Sequence, residues 1–403
     1  MNAFLKHKIV LIPLFFFVFL GGSCVSNSSV VAASIPKPSI YDMDHLEFLR
    51  KKGLDDPVIA RFVRRVRKIA KEAHLTVVGK EHSYSSNPHD YCSIAGYSWA
   101  DENKPDGPYV TKDGVINPER EKYDRPKLNE LANRCKFLSV AYYITEDTLF
   151  YEAIEKNLRA WFLDSVSYMT PNFEYAQVVR GKNDNKGQAY GLVDMVQFTP
   201  ILESILLVNS VTEIDNILIG DLQKWFADFL SWVLDSHQWQ QVKLSNNNIA
   251  SGCYVAIAEM ARFTGNTTIN RRVYREYTRR IINTQILSDG RQPAELKRTI
   301  GFGYSVGNLR HIVDFALIME NSGKKYYKRN QRRIDAAFEY LFQFVDNHES
   351  FPYQQIKPWE HYEELLKENA MRLQRLSSRK SVVSEYSKNI MTNYSNDILD
   401  YVY

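Results

Sequence analysis

The sequence is poor in cysteine, with 4 in 403 residues, which is too few for a disulfide scaffold of this length. It has little excess charge. Lys and Arg number 51 against 47 Asp and Glu, a formal +4, so binding to duplex nucleic acid is not expected. It has no HExxH, no CxxC and no D-x-D-x-D-G loop. No dedicated zinc or calcium site, and no cofactor, is therefore expected. A P-loop, a strand-linked GxGxxG and a GxSxG elbow are also missing, which removes the common nucleotide-binding and α/β-hydrolase readings. No alternating β-pattern of useful length is present. Aromatic residues, by contrast, are abundant: 25 Tyr, 21 Phe and 6 Trp.

Residues 1–33 read as a signal peptide. Lys6 and Lys8 precede an apolar run from Ile9 to Leu20, and Val31-Ala32-Ala33 supplies a small-residue cleavage site. The run is too short to span a bilayer. The expectation is a secreted or extracytoplasmic chain with no membrane attachment after cleavage; lipidation at Cys24 is the weaker alternative. Sequons at Asn27, Asn266 and Asn393 suit an exported glycoprotein. Cys92, Cys135 and Cys253 would remain, either as a Cys92–Cys135 bridge with one thiol or as three buried thiols. No second apolar run is expected to reach membrane length.

Residues 34–55 read as an N-terminal extension and residues 56–403 as one domain. From residue 56 the pattern is helical. Apolar residues recur at helical spacing over 56–70, 126–146, 147–163, 190–209, 212–236, 248–264, 267–287, 304–321, 324–346 and 358–376. No fixed repeat period is visible. The predicted class is all-α, an incomplete (α/α) toroid of paired helices. Three polar, aromatic stretches interrupt it: 79–125, 169–188 and 238–247. Long irregular segments inside a compact domain are commonly functional, and these would line the mouth of a cup.

Three segments carry chemistry. In Gln292 to Ser305, Arg298 and Tyr304 flank a glycine-rich link into a helix. A tyrosine can act as a base if nearby cations, here Arg298 and Lys297, lower its pKa; otherwise Arg298 pairs with Glu295 and Tyr304 packs its ring. In Ser245 to Ser251, Asn246-Asn247-Asn248 either caps a helix or offers an amide to a carboxylate. Asn87 to Tyr91 holds a His-Asp pair in the long loop. Tyr91, Tyr97, Trp99, Tyr109, Tyr175, Trp239 and Tyr353 offer sugar platforms or core packing. Arg180, Lys182, Lys186, Arg291, Lys297 and Arg298 fall in or beside the irregular stretches, which suits an anionic polymer.

Taken in order, these segments resemble the alginate lyase domain family, polysaccharide lyases that cleave uronate polymers by β-elimination. The likeness runs from Asn87–Trp99 through Lys104-Pro105-Asp106-Gly107, Asp113-Gly114, Asn117-Pro118, Ala160–Asp164, Pro171–Gln177, Gly181-Lys182-Asn183, Asn246-Asn247 and Gln292–Asn308 to Phe351–Ile356. The resemblance implies an incomplete (α/α) toroid. It gives Asn247 the role of neutralising the substrate carboxylate, Arg298 that of the active-site arginine, and Tyr304 that of the catalytic tyrosine. Asn248 stands where the family carries histidine, a departure. His89, Tyr91 and Lys104 of the lid region, with Asn248 and Lys297, become expected substrate contacts.

β-Elimination removes the C5 proton of a uronate and expels the oxygen at C4. When both lie on one side of the ring, as in β-D-mannuronate and β-D-glucuronate, one tyrosine serves as base and acid. In α-L-guluronate they lie on opposite sides and a second base is needed, often the histidine. With Asn248 in that position, the expected substrate is a polymer of D-configured uronates, polymannuronate or glucuronan. The competing expectations are a catalytically impaired glycan-binding protein on the same fold, which Asn248 favours, and a glycoside hydrolase using two of Glu174, Asp184, Asp194 and Glu295. The partner is an anionic polysaccharide; the sequence is silent on oligomeric state.

Overall fold

The computed structural model describes residues 35–104, 106–377, 381 and 383. The leader with Cys24 and Asn27, and the sequon at Asn393, lie outside the described residues. Fourteen α-helical segments occur among the described residues: α1 (Met43–Lys52), α2 (Pro57–Ile69), α3 (Asp124–Thr145), α4 (Thr148–Leu158), α5 (Phe198–Asn209), α6 (Asn216–Asp235), α7 (His237–Val242), α8 (Asn248–Phe263), α9 (Thr267–Tyr277), α10 (Asn283–Gln285), α11 (Pro293–Leu296), α12 (Gly301–Asn321), α13 (Tyr326–Phe342) and α14 (Glu360–Gln374). Several start where a side chain can take an unpaired first-turn N–H. Asp42 accepts from His45, Asp56 from Val58 and Ile59 ahead of Pro57, Asp147 from Leu149, and Asn266 from Ile269.

The helices sort into two layers by composition. In α8 every residue from Ala250 to Phe263 is buried, and in α5 every residue from Ile201 to Val208. A helix apolar on all sides must be covered on all sides. Neighbouring pairs run α3–α5, α5–α8 and α8–α12, with α4 outside α3, α6 and α9 outside α8, and α13 and α14 against α12. This is the expected (α/α) toroid. The stretch Ala189–Asn209 is long and apolar enough to cross a membrane, contrary to expectation, but most of it is buried inside the protein.

Two further departures concern the loops and the start. The irregular segments contain short strands: β1 (Cys92–Ile94) pairs in parallel with β4 (Tyr175–Val178), and β2 (Ser98–Trp99) antiparallel with β3 (Val110–Thr111). Helix α7 occupies much of 238–247. The extension set apart as 34–55 is packed into the common core, where Ile40, Leu46 and Leu49 are fully buried. Cys92, Cys135 and Cys253 are free and buried, so the thiol alternative holds and no Cys92–Cys135 bridge forms.

A buried ionic cluster fastens the N-terminal segment. The Glu203 carboxylate accepts the N–H groups of Ser39 and Ile40 at 2.8 and 3.1 Å. Arg262 donates to Glu203 at 2.6 Å and to Glu259 at 2.7 Å. Burial, then the Glu259 charge, pushes the Glu203 pKa up, and Arg262 opposes them. Arg262→Ala would leave two carboxylates buried without their cation, a loss of about 3–5 kcal/mol. Urea unfolding should show it as a lower midpoint; a loss below ~1 kcal/mol would contradict this account.

Candidate active site

A cavity of about 360 Å³ opens among β2, β3, the start of α8 and the start of α12. Tyr304 stands in the first turn of α12, and Arg298 lies in the link between α11 and α12. That link is held from outside: Gly301 N–H donates to the Gln354 carbonyl at 2.8 Å, Gly303 N–H to Gln355 Oε1 at 3.1 Å, and Ile356 N–H to the Thr299 carbonyl at 3.0 Å. Gly303 permits the approach of the Tyr362 ring, because a Cβ there would sit 2.7 Å from it.

Arg298 donates through Nε and Nη2 to the Asp113 carboxylate, at 3.1 and 2.6 Å. Thr299 Oγ1 adds a third bond to Asp113 at 3.1 Å. This fork leaves the Arg298 Nη1 uncommitted and fixes the guanidinium over the Tyr304 ring, 4.1 Å from its centroid. The Arg298 bond holds the Asp113 pKa down. The expected Arg298–Glu295 pair is replaced by Arg298–Asp113. Tyr304 and Tyr97 hydroxyls are 2.8 Å apart. Burial is the largest influence on Tyr304 and raises its pKa; Tyr97 adds to the rise, and Arg298 pulls it down. The expectation of a lowered tyrosine pKa is therefore corrected: the cation acts in that direction but burial outweighs it, and Tyr304 rests as the neutral phenol.

The facing wall was not foreseen. Arg125 lines the cavity and pairs with Asp194 at 3.2 Å. Asp194 is buried and also accepts from Tyr91 (2.9 Å), Ser93 (2.7 Å) and Gln177 (2.8 Å). Gln177 projects from β4 with φ 52°, a left-handed conformation that is costly for a side-chain-bearing residue. Its N–H is held by Ser93 Oγ at 2.8 Å. Gly191 lets the chain following β4 fold back, since a Cβ there would lie 2.1 Å from the Ala176 carbonyl oxygen. Arg120 and Tyr190 complete this side. Only the spatial convergence of β1, β4 and α3 could have shown that these residues share a site with Arg298.

The asparagine pair is arranged differently from expectation. Asn247 is the N-cap residue of α8, its Oδ1 is buried without a hydrogen-bond partner, and it is not among the cavity-lining residues. Asn248 does line the cavity. Its backbone N–H and its Nδ2 each donate to Glu295 at 2.6 Å. Burial raises the Glu295 pKa to about 7. Ionised Glu295 accepts both bonds, whereas the protonated carboxyl must give up part of its acceptor capacity. Activity that depends on this clamp should therefore rise as pH increases through about 7. For stability the direction is opposite: with the folded pKa above the unfolded value of 4.5, the group's contribution falls between 4.5 and about 7. Glu295→Gln should remove the limb near neutrality from the kcat/KM profile and lower its plateau about tenfold. A profile that keeps that limb would assign it elsewhere.

The remaining expected contacts lie apart from the cavity. Tyr91 is fully buried beneath it on Asp194, which corrects its reading as a substrate contact. His89 Nδ1 is bonded to the Tyr168 carbonyl at 2.7 Å, and its ring packs on Tyr168. Lys104 and Lys297 are exposed and do not line the cavity. Of the expected platforms, Tyr97 reaches it while Trp239 is core. Among the described residues, no group of three or more His, Cys, Asp or Glu side chains is placed to hold a metal ion. The hydrolase alternative finds no facing pair in the cavity, because Glu295 and Asp194 are buried in bonds to Asn248 and Arg125, Glu174 is paired with Lys186, and Asp184 is exposed and does not line the cavity.

A helical toroid whose cavity sets an arginine against a tyrosine, with further arginines opposite, offers a cationic cleft to a polyanion, and its family and structural neighbours make it a polysaccharide lyase. The chain belongs to the alginate lyase family, whose model matches residues 75–351. An alginate lyase from Bacteroides ovatus superimposes with a TM-score of 0.85 at 28% identity, covering 91% of this chain and 99% of that one. Alginate lyase A1-III complexed with tetrasaccharide, an enzyme of Sphingomonas species A1, shares the fold at TM-score 0.54 and 15% identity, covering 85% of this chain and 90% of that one. No curated protein matches the sequence.

Proposed function

We propose that this enzyme cleaves a polymer of D-configured uronates, polymannuronate or glucuronan, by β-elimination outside the cytoplasm. The observation that carries the reading is the Arg298 guanidinium fixed over the Tyr304 ring in a cavity lined by three arginines and one carboxylate, itself committed to Arg298. Such a site attracts a polyanion. Arg298 Nη1 and Arg125 take the substrate carboxylate and spread the charge that develops when C5 loses its proton. Asn248 spends its backbone N–H and one side-chain N–H on Glu295, so its second amide N–H and its Oδ1 remain for sugar hydroxyls, and the carboxylate role expected of Asn247 passes to the arginines. Tyr304, once its proton has passed along the Tyr97 hydroxyl to solvent water, is the phenolate that takes the C5 proton, hands that proton to the departing C4 oxygen and is left as the phenolate again.

Among the described residues no histidine lines the cavity, and the Asn248 amide is no base, which supports syn elimination from D-uronates. The export signal read in residues 1–33 supports action outside the cytoplasm. The test is a product screen on polymannuronate, glucuronan and polyguluronate, followed by the ultraviolet absorbance of the 4,5-unsaturated uronyl end. Absorbance with the first or second substrate is expected. Strong cleavage of polyguluronate alone would overturn the stereochemical assignment, and tight binding without product would favour the impaired glycan-binding reading.

A further inference from the structure

A second cavity, about 420 Å³, lies beside the first, between the loop after β4 and the α6–α7 junction. Its walls hold Trp232, Lys186, Asn183, Gln188, Gln241 and one carboxylate, Glu174, which is paired with Lys186. One aromatic face, a cation and several amides form the inventory that recognises a sugar ring, its carboxylate and its hydroxyls. Trp232 is half-buried and braced by the Phe229 ring at 6.0 Å. Lys186 Nζ is aimed by Glu174 Oε1 at 2.7 Å.

The loop is built rather than slack. Asn183, Asp184 and Asn185 take φ of 51°, 52° and 56° in succession. Such strain persists only where surrounding bonds impose it. Here Asn185 Oδ1 accepts from Gly181 N–H at 2.7 Å, Asn183 Nδ2 donates to the Gly187 carbonyl at 2.8 Å, and Gly187 N–H donates to the Glu174 carbonyl at 2.8 Å. One segment separates the two cavities: Ala189 lines the second and the next residue, Tyr190, lines the first.

We propose that this second cavity is a distal subsite for the uronate chain whose scissile bond lies at Tyr304, with Trp232 stacking on a sugar ring and Lys186 pairing with its carboxylate. The proposal rests on the polyuronate reading. It makes affinity depend on chain length, because short oligomers fill only the first cavity.

The experiment measures calorimetric binding of a trisaccharide and an octasaccharide of the preferred uronate to Tyr304→Phe, and to that variant combined with Trp232→Ala or with Lys186→Ala. The octasaccharide should lose about five- to tenfold in affinity with Trp232→Ala. A smaller, salt-sensitive loss is expected with Lys186→Ala, an exposed position at which folding is not at stake. The trisaccharide should change less than the octasaccharide in both. Equal effects on the two lengths, or no effect from either variant, overturn the subsite, as does failure to bind any uronate. A length-dependent loss in a protein whose wild type releases no unsaturated product would uphold the subsite and sink the lyase reading.

Discussion

Tyr304→Phe should lower kcat by about 10²–10⁴-fold, the range for removal of a positioned general acid–base group. The ring that supports Arg298 remains in this variant, so oligouronate affinity should change by no more than about threefold. A kcat within tenfold of wild type would remove Tyr304 from the chemistry. Tyr97→Phe tests the partner hydroxyl: it removes the hydrogen bond seen at 2.8 Å but not the reacting phenol, so the loss should be closer to tenfold. Because burial keeps Tyr304 protonated at rest, wild-type kcat/KM should also rise with pH on the alkaline side of the Glu295 limb.

Arg298→Ala should cost about 10²–10³-fold in kcat, comparable to the loss of one donor to a developing anion. It removes the substrate-facing Nη1 and the cation above the ring together. Arg298→Lys should not restore the rate. An ammonium cannot make the two-pronged contact with Asp113 while lying flat on the tyrosine face. Recovery by lysine to within tenfold would reduce the role of Arg298 to charge alone.

The toroid was legible in the sequence because apolar residues recur at helical spacing in segments of similar length joined by short links, and because the family resemblance implies that fold. Arg298 and Tyr304 stand out through the family resemblance, since their spacing alone fits an Arg298–Glu295 pair and a packed ring equally well. The rest depended on tertiary distance. Asp113 and Arg298 are 185 positions apart, and Tyr97 and Tyr304 are 207 apart. Tyr91 looked like a loop contact because its neighbours are polar; in the structure it turns inward to hold Asp194. The choice between Asn247 and Asn248 turned on which amide Glu295 grips, and a run of three asparagines does not encode that.

The fastening of the segment around Lys37 bears on where this chain can be cut. Arg262 Nη1 donates to the Lys37 carbonyl at 2.6 Å, and Asn321, the last residue of α12, donates to the Lys37 and Pro38 carbonyls at 3.1 and 2.7 Å. Helix α12 thus carries Tyr304 at one end and grips Lys37 and Pro38 at the other. A fragment trimmed to the family-matched span from residue 75 would lose α1, α2 and the Ser39 and Ile40 N–H groups, leaving the buried Glu203 with Arg262 as its remaining partner, so expression boundaries should fall ahead of Lys37.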